Sequence, residues 1–543
     1  MNQENKRNGF IMQGSILAIA GILVRIIGIL YRKPLTSIIG DEGNGYYSMA
    51  YNIYTIILLL ASYSIPSAVS KVIAQRLALR EYKNARRIFQ CALIYVVIVG
   101  GAASLFTFAF AGVLVDANTV SVLRVFVPTI FLSGLLGVLR GYFQAHQTMI
   151  QTSLSQILEQ IINAVVSVFA AWLLIQTAAA GADSTTKAIR GATGSAMGTG
   201  AGVLIALLFM YGMYMMNRKQ ILRKVNGDQE THVLSTGEGL KLIVMMVTPF
   251  ILSTFIYNLS TSLNQTIYVR IMLLVKNYTS SEAATMYGIY SGKAVVIVNI
   301  PIAIASAMSA AMIPSISGTY ATKDVQGTRE EVATAVQTTM LIAIPAAVGL
   351  AVLARPITAL LFPQPESLDT AASLLRASSI TVVFYSLSTL TNAVLQGIGQ
   401  VNRPVIHAAL ALVVQTVVLV PLLLFTDWNQ YCIVFAAIVY SFTMCLLNQW
   451  SVRKSLTYRQ EYMHTFLLPI LSAAVMGAVA WGSYEACYAL CSSSVISVAI
   501  AIVLAVIVYF VMILRTGAVG EDELRKIPKG ATLLRIARKV HLV

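Results

Sequence analysis

Apolar residues fall in long blocks separated by short polar punctuation. Blocks of roughly 20 apolar residues recur along the whole length, and each is long enough to cross a hydrocarbon core. A hydropathy window places about fourteen helices along the chain. Their predicted spans are 10–38, 46–74, 86–115, 121–142, 150–178, 193–216, 240–274, 283–312, 333–361, 370–396, 403–426, 429–451, 462–485 and 492–515. The fold class predicted is all-α, a polytopic membrane protein with no room for a large soluble domain. The start "MNQENKRNGF" is polar and basic, and no small-residue cleavage site follows at signal-peptide distance, so the first apolar block is expected as a retained helix.

The pattern repeats. "LRGYFQAHQTMIQTSLSQILEQ" at 139–160 aligns with "LQGIGQVNRPVIHAALALVVQT" at 395–416, which pairs Gly141 with Gly397, Gln144 with Gln400 and Ile150 with Ile406. "IPSAVS" at 65–70 echoes "IPSISG" at 313–318. The copies lie six helices apart, an even number, so both have the same orientation: a parallel repeat about an axis along the membrane normal. The expected architecture is two pseudo-symmetric six-helix lobes, 1–216 and 240–452, joined by a polar linker at 217–239. Helices 13 and 14 follow at 453–516, then a basic tail at 517–543. Two lobes facing a central cleft, rocking to give alternating access, are a transporter's design.

Charge refines this picture. Only 11% of the 543 residues are charged and 57% are hydrophobic, yet the net charge is +16. The cations gather in alternate loops: Lys6 and Arg7; Arg76, Arg80, Lys83, Arg86 and Arg87; Arg218, Lys219, Arg223 and Lys224; Arg453, Lys454 and Arg459; and the tail. The intervening loops carry "GDEGNG", Asp116, "FPQPESLD" and "TDW". By the positive-inside rule both termini face the cytoplasm, and the basic balance needs no nucleic acid to explain it. The tail reads as a topology anchor or as a short basic helix on anionic lipid.

A few charges lie inside the apolar blocks, where each Arg or Lys costs about 2.5–3.5 kcal/mol on insertion scales. Arg25 and Arg32, in "LVRIIGILYRKPLTSIIG", share one helical face with Gly28 between them. Lys293 lies in helix 8 and Glu159, in "SLSQILEQIINAVV", in helix 5. Three cations to one anion suit an anionic substrate, and guanidinium forks match a diphosphate. Plainer readings stand beside this one: snorkelling for Arg32, an ion pair with Glu159 for Arg25, a structural hydrogen bond to a carbonyl for Lys293. Glu159 reads as a charge partner rather than a proton carrier. Arg124 and Arg376 read as snorkelling residues near the outer surface. Lys71 reads as a topology anchor or as the first contact of an entering phosphate.

Other signals are structural. Gly194, Gly198 and Gly202 form successive GxxxG steps and predict close helix packing. Pro66, Pro249, Pro301, Pro314 and Pro345 predict kinks. "GDEGNG" lacks a P-loop lysine, so neither ATP nor another nucleotide cofactor is expected. The five cysteines sit in or beside apolar runs and suggest packing, not metal. No Ser/His/Asp set or HExxH stands out, so no enzyme is expected.

"VRIIGILYRKPLTSIIG…GYYSMAYNIY", "IPSAVSKVIAQR", "YSGKAVVIVNIP" and the loop "LRGYFQAHQ" resemble the MurJ, SpoVB and YtgP group. These are lipid-linked oligosaccharide flippases of the multidrug/oligosaccharidyl-lipid/polysaccharide superfamily. The resemblance spans the whole chain and is nearest the SpoVB/YtgP branch. It implies a cationic central cavity, a groove from the last two helices for a lipid tail, and lipid II, the undecaprenyl-diphosphate peptidoglycan precursor, as substrate. Arg25 and Arg32 match the family's two helix-1 arginines. Lys293 matches its helix-8 arginine, where a "YADR"-like stretch reads "YSGK". The chain departs from the group at the start of helix 2, where "GNGYYS" replaces an acidic residue, and the arginine spacing is one residue longer.

The resemblance thus implies a cell-membrane flippase acting on a lipid-linked saccharide, with a monomer as the default and the cell-wall synthesis machinery as a further partner. The alternatives are a flippase for a teichoic, capsular or exopolysaccharide unit, and a cation-coupled multidrug exporter of the same superfamily. A drug exporter calls for more acid in its lobes than Glu159. A non-transporting scaffold would tolerate loss of the buried cations.

Overall fold

The computed structural model describes residues 20–518 apart from 22, 29, 64, 147, 179, 180, 229–232, 363 and 459. Lys6, Arg7, Arg459 and the basic tail from 519 onward lie outside the described residues. Among the described residues every regular element is helical. Eleven helices are long and apolar enough to cross a membrane, or twelve if the bent pair Pro365–Ser378 and Ile380–Gly397 counts as one span. The chain is therefore an all-α polytopic membrane protein, with a count compatible with the fourteen spans predicted. Large apolar side chains such as Leu105, Phe106 and Val113, or Val503 and Val506, stay exposed. Water would penalise them, whereas hydrocarbon accepts them.

The chain divides into two compact units, Met1–Gly288 and Ile289–Val543. The first begins with α1 (helical at residues 20–21, 23–28 and 30) and continues through α2 (Arg32–Leu58), α3 (Ile65–Ala78), α4 (Tyr82–Leu114) and α5 (Val120–Ala145). It ends with α6 (Met149–Gln176), α7 (Ser184–Asn226), α8 (Thr236–Leu274) and α9 (Ser280–Ile289). Helix α7 packs along α6 and α5, while α8 packs on α2, α3 and α4. The GxxxG steps bring α7 onto α6. A Cβ at Gly194 would lie 2.5 Å from the Ala170 carbonyl carbon, one at Gly198 2.0 Å from Ser167 Oγ, and one at Gly202 2.5 Å from the Glu159 carbonyl oxygen. Only glycine admits such approach, the mechanism expected where lipid tails give helices no hydrophobic drive to associate.

The second unit contains α10 (Val295–Ala321), α11 (Val325–Val352), α12 (Ala354–Leu361), α13 (Leu368–Ser378) and α14 (Ile380–Gly397). It closes with α15 (Asn402–Phe425), α16 (Tyr431–Leu456), α17 (Leu468–Cys491) and α18 (Ser494–Arg515). Its apolar core is built from α10, α11, α14 and α16, and α17 packs against α11 and α18. Side chains set several helix starts: Asp183 accepts from Thr186 N, Ser235 and Glu238 form a reciprocal capping box, and Asp324 accepts from Gly327 N.

Three local outcomes differ from the sequence expectation. "GDEGNG" is not an outer loop. Gly40 alone, at φ +67° and ψ −176°, breaks the helical path, and residues 41–45 already belong to the following helical segment of α2. The two remaining glycines serve packing: a Cβ at Gly43 would lie 3.0 Å from Ile39 Cβ, and one at Gly45 1.9 Å from the Ala284 carbonyl oxygen on α9. The expected linker is helical as far as Asn226, because "NRKQILRKVN" holds no Gly or Pro and the chain first meets glycine at 227. Finally, the predicted tenth span is two helices meeting at 41° between Ser378 and Ile380. Proline leaves a mark of another kind. π-Turns at Leu59–Tyr63 and Met463–Leu467 come just before Pro66 and Pro469. There the missing N–H and the ring disturb the carbonyl four residues back.

Candidate functional site

The helix-1 stripe is built on a nearly continuous ladder. Tyr31 N donates to Ile27 O and Leu35 N to Tyr31 O, so the backbone carries the α-helical spacing from Arg25 through Arg32. Arg25 is exposed and Arg32 half-buried. Between them Gly28 lets Gln160 of α6 approach, with Nε2 3.3 Å from where a Cβ would stand. The Arg32 guanidinium lies 5.9 Å from the Tyr47 ring centroid, a cation–π arrangement. Tyr47 stacks on Tyr51, and Tyr54 stacks on Phe126 at 4.7 Å, so an aromatic row on α2 backs the cation. Among the described residues neither arginine forms a salt bridge.

Glu159 does not pair with Arg25. Its Oε2 accepts from Arg140 Nη2 at 2.7 Å, and Arg140 Nε donates to Ser155 Oγ at 2.9 Å. The anion of the predicted set is thus neutralised within the first unit by a residue the charge reading passed over. The signal was present: Arg140 lies inside the predicted fourth span, in the quoted loop motif.

Lys293 sits in a π-turn, Tyr290–Ala294, between α9 and α10. It is only 1% exposed, and its ammonium donates to Ser367 Oγ at 2.5 Å, where Pro365–Ser367 form one short turn before α13. One partner of the ammonium is therefore a hydroxyl. Lys71 is exposed on α3 and has no ion pair among the described residues. Arg124 is exposed near the start of α5, with its guanidinium 5.0 Å from the Phe108 ring centroid. Arg376, also exposed, donates to Ala351 O near the end of α11. Both lie close to helix ends, where long side chains reach toward the interface.

Two buried polar networks escaped sequence reasoning, because Asn and Gln carry no charge to mark them in an apolar block. In the first unit Asn52 Nδ2 donates to Gln265 Oε1 (2.6 Å) and Tyr287 OH (2.8 Å), and Gln265 Nε2 donates to Met49 O. In the second, the His407 ring bonds Asn448 Oδ1 (2.7 Å) and Ser451 Oγ (3.1 Å), while Asn448 Nδ2 donates to Asn392 Oδ1. Such satisfied networks fix helix registers where apolar packing alone is degenerate. Among the described residues no group of three or more His, Cys, Asp or Glu could hold a metal ion.

Comparison with known proteins gives one family by sequence and a fold shared with two kinds of transporter by structure. The family model described as "Lipid II flippase MurJ" matches residues 88–499. The chain is 24% identical to the lipid II flippase MurJ of Bacillus subtilis (strain 168), over 86% of this chain and 93% of that protein. It is 25% identical to the stage V sporulation protein B of the same organism, over 94% and 96% respectively. Among solved structures, a lipid II flippase MurJ in an inward closed conformation superposes with a TM-score of 0.67 at 14% identity, covering 91% of this chain and 97% of that one. An inward-facing multidrug resistance MATE transporter of the MOP superfamily superposes at 0.66 and 18% identity, covering 82% and 98%. These structural likenesses establish the shared fold. With some three-quarters of its length matched to the family model and a many-helix membrane architecture to go with it, this chain belongs to the MurJ family of lipid II flippases, multi-pass proteins of the cell membrane.

Proposed function

We propose that the chain flips an undecaprenyl-diphosphate-linked saccharide, lipid II first among them, across the cytoplasmic membrane by alternating access. The carrying observation is the pair Arg25 and Arg32: two permanent cations in the first predicted span, one on α1 and one at the start of α2, with no carboxylate paired to either among the described residues. The chain bears about 2.5–3.5 kcal/mol for each such cation. A diphosphate ligand offsets that through charge-assisted, forked hydrogen bonds. Lys293 adds a third cation, held by Ser367. Glu159, neutralised by Arg140, acts as a charge partner and not as a proton carrier. Lys71 meets the phosphate on the cytoplasmic side. The lobes 1–216 and 240–452, the linker 217–239 and a lipid-tail groove formed by 453–516 belong to the same reading, as do a monomeric state and cytoplasmic termini. The basic clusters at 76–87 and 218–224 support that orientation.

A membrane potential, negative inside, biases each cavity charge by about 2.3 kcal/mol per 100 mV and is a sufficient force for resetting. A second reading, with a different lipid-linked glycan as cargo, is favoured by the equal likeness to stage V sporulation protein B. Both cargoes share the diphosphate, so the charges do not separate them.

The test is complementation of a flippase-depleted bacterium, with surface-exposed lipid II quantified and protein level checked. Wild type should restore surface lipid II, and well-expressed Arg25→Ala, Arg32→Ala and Lys293→Ala variants should not. No restoration by wild type would shift the cargo to another glycan lipid. Variants that work like wild type would make the cations structural and sink the assignment.

A further inference from the structure

A separate cavity lies at the end of the first unit where α3, α5 and α7 finish and α4 and α6 begin. It has a volume of about 250 Å³. Arg86 and Tyr82 face it from α4, Tyr142 and His146 from the end of α5, Gln151 from the first turn of α6, and Lys224 from the last turn of α7. Among the described residues its lining includes no carboxylate. Two acids nearby among the described residues are engaged elsewhere: Glu81 pairs with Arg76, and Asp228 accepts from Lys83 N.

The wall is pre-organised. Tyr142 packs against Phe89 (4.8 Å between ring centroids) and Tyr214 (5.6 Å), which stack on each other at 5.3 Å, and the His146 ring lies 4.4 Å from Tyr142. His146 Nδ1 is 2.9 Å from Tyr142 O. A carbonyl only accepts, so Nδ1 carries the hydrogen there, and Nε2 is the nitrogen left to gain a proton and donate to an anion. Burial above all holds the His146 imidazole below its ordinary range, against the raising hydrogen bond to the Tyr142 carbonyl and with a smaller push from Lys224, whose charge an anion would offset. The side-chain oxygen of Gln151 is buried without a hydrogen-bond partner. As an acceptor it calls for a donor, which a water or a hydroxyl of the ester would supply, and not the anionic oxygens themselves.

We propose that this cavity is a binding site for a phosphate ester, gripped by Arg86, Lys224 and His146, outside the helix-1 cation stripe. Arg86 offers a planar fork to phosphate oxygens and Lys224 a mobile point charge. Basic pockets at the ends of membrane helices suit lipid headgroups in particular. Two sources share this chemistry: the headgroup of an anionic phospholipid, and a soluble phosphate. The proposal stands independently of the cargo proposed above.

The test uses the full chain in neutral detergent. Native mass spectrometry would read retained phosphatidylglycerol, and thermal unfolding would read stabilisation by phosphatidylglycerol, by glycerol 3-phosphate and by inorganic phosphate. Wild type should bind and be stabilised. Arg86→Gln/Lys224→Gln should lose most of both effects. Arg218→Gln/Lys219→Gln removes the same charge from residues outside the lining and should keep them. Stabilisation by phosphatidylglycerol alone assigns the lipid headgroup, and equal stabilisation by the soluble phosphates assigns the free anion. Equal behaviour of the two double variants, or no binding by wild type, overturns the site. Lys224 is exposed, so Lys224→Gln alone gives the same reading if the double variant does not fold.

Discussion

Arg140 Nη2 and Glu159 Oε2 stand 2.7 Å apart, joining α5 to α6 through an ion pair whose side chains are 15% and 29% exposed. In the internal repeat, Arg140 aligns with Gln396 and Glu159 with Gln415. The second half therefore keeps polar groups at both places without charge. Removing one partner strands the other in a medium that solvates it poorly.

Arg140→Gln or Glu159→Gln alone should destabilise the protein by about 1–3 kcal/mol, the range for losing a charge-assisted hydrogen bond. The double variant Arg140→Gln/Glu159→Gln, which copies the second half, should recover most of the loss. Thermal unfolding in detergent reads this as a coupling energy, and additive single losses would contradict it.

Gly45→Ala should be poorly tolerated, because the new Cβ meets backbone at 1.9 Å and the helices must part. Overpacking of this kind costs about 1–3 kcal/mol. Gly112→Ala has nothing within 4 Å and should be neutral or gain up to about 1 kcal/mol in helix propensity. Comparing the folded, monodisperse yields of the two variants checks the contrast.

Glu81 joins the α3–α4 turn to its surroundings. The Asn84 amide and then the Arg76 guanidinium hold its carboxyl below the usual carboxylate range. A depressed folded value means the contribution is complete above the unfolded value near 4.5 and is lost as pH falls through the folded value. The stability difference between wild type and Glu81→Gln should thus be constant near neutrality and shrink in acid below that point. A difference that grows in acid would reverse the sign.

Asn52 ties α2 to α8 and α9, so Asn52→Ala leaves Gln265 Oε1 and Tyr287 OH without that donor. The expected loss is about 1–3 kcal/mol. Hydrogen exchange should show it as faster opening around residues 262–287, with the second unit unchanged; uniform acceleration throughout would argue against a local tie.

The helices were legible because their signal is bulk hydropathy over some 20 residues. Hence α4, α5, α6, α15 and α18 begin and end within a few residues of their predicted bounds. The Gly194/Gly198/Gly202 seam was legible too, since small residues at four-residue spacing have one main structural use. Gly40 was not: a one-residue reversal and a loop rich in glycine read alike until the partners of Gly45 and Gly288 are known. The candidate cations could be found by charge alone, whereas their partners could not. Ser367 is 74 positions from Lys293, and nothing local joins them. Arg140 was hidden by its place near a predicted span end, where a cation is ordinary.

The π-turn at Tyr290–Ala294 has a consequence for the length of the chain. Such a turn holds one residue more than the α-helical ladder needs, and each residue advances the helix by about 100°. Deleting any one residue between 290 and 294 would restore a regular ladder. It would also rotate all of Val295–Ala321 by that angle relative to the turns before it. Substitutions in this stretch alter one side chain each, but a single-codon deletion would re-aim a whole helix. The segment that carries Lys293 therefore holds its information in residue count as well as residue type.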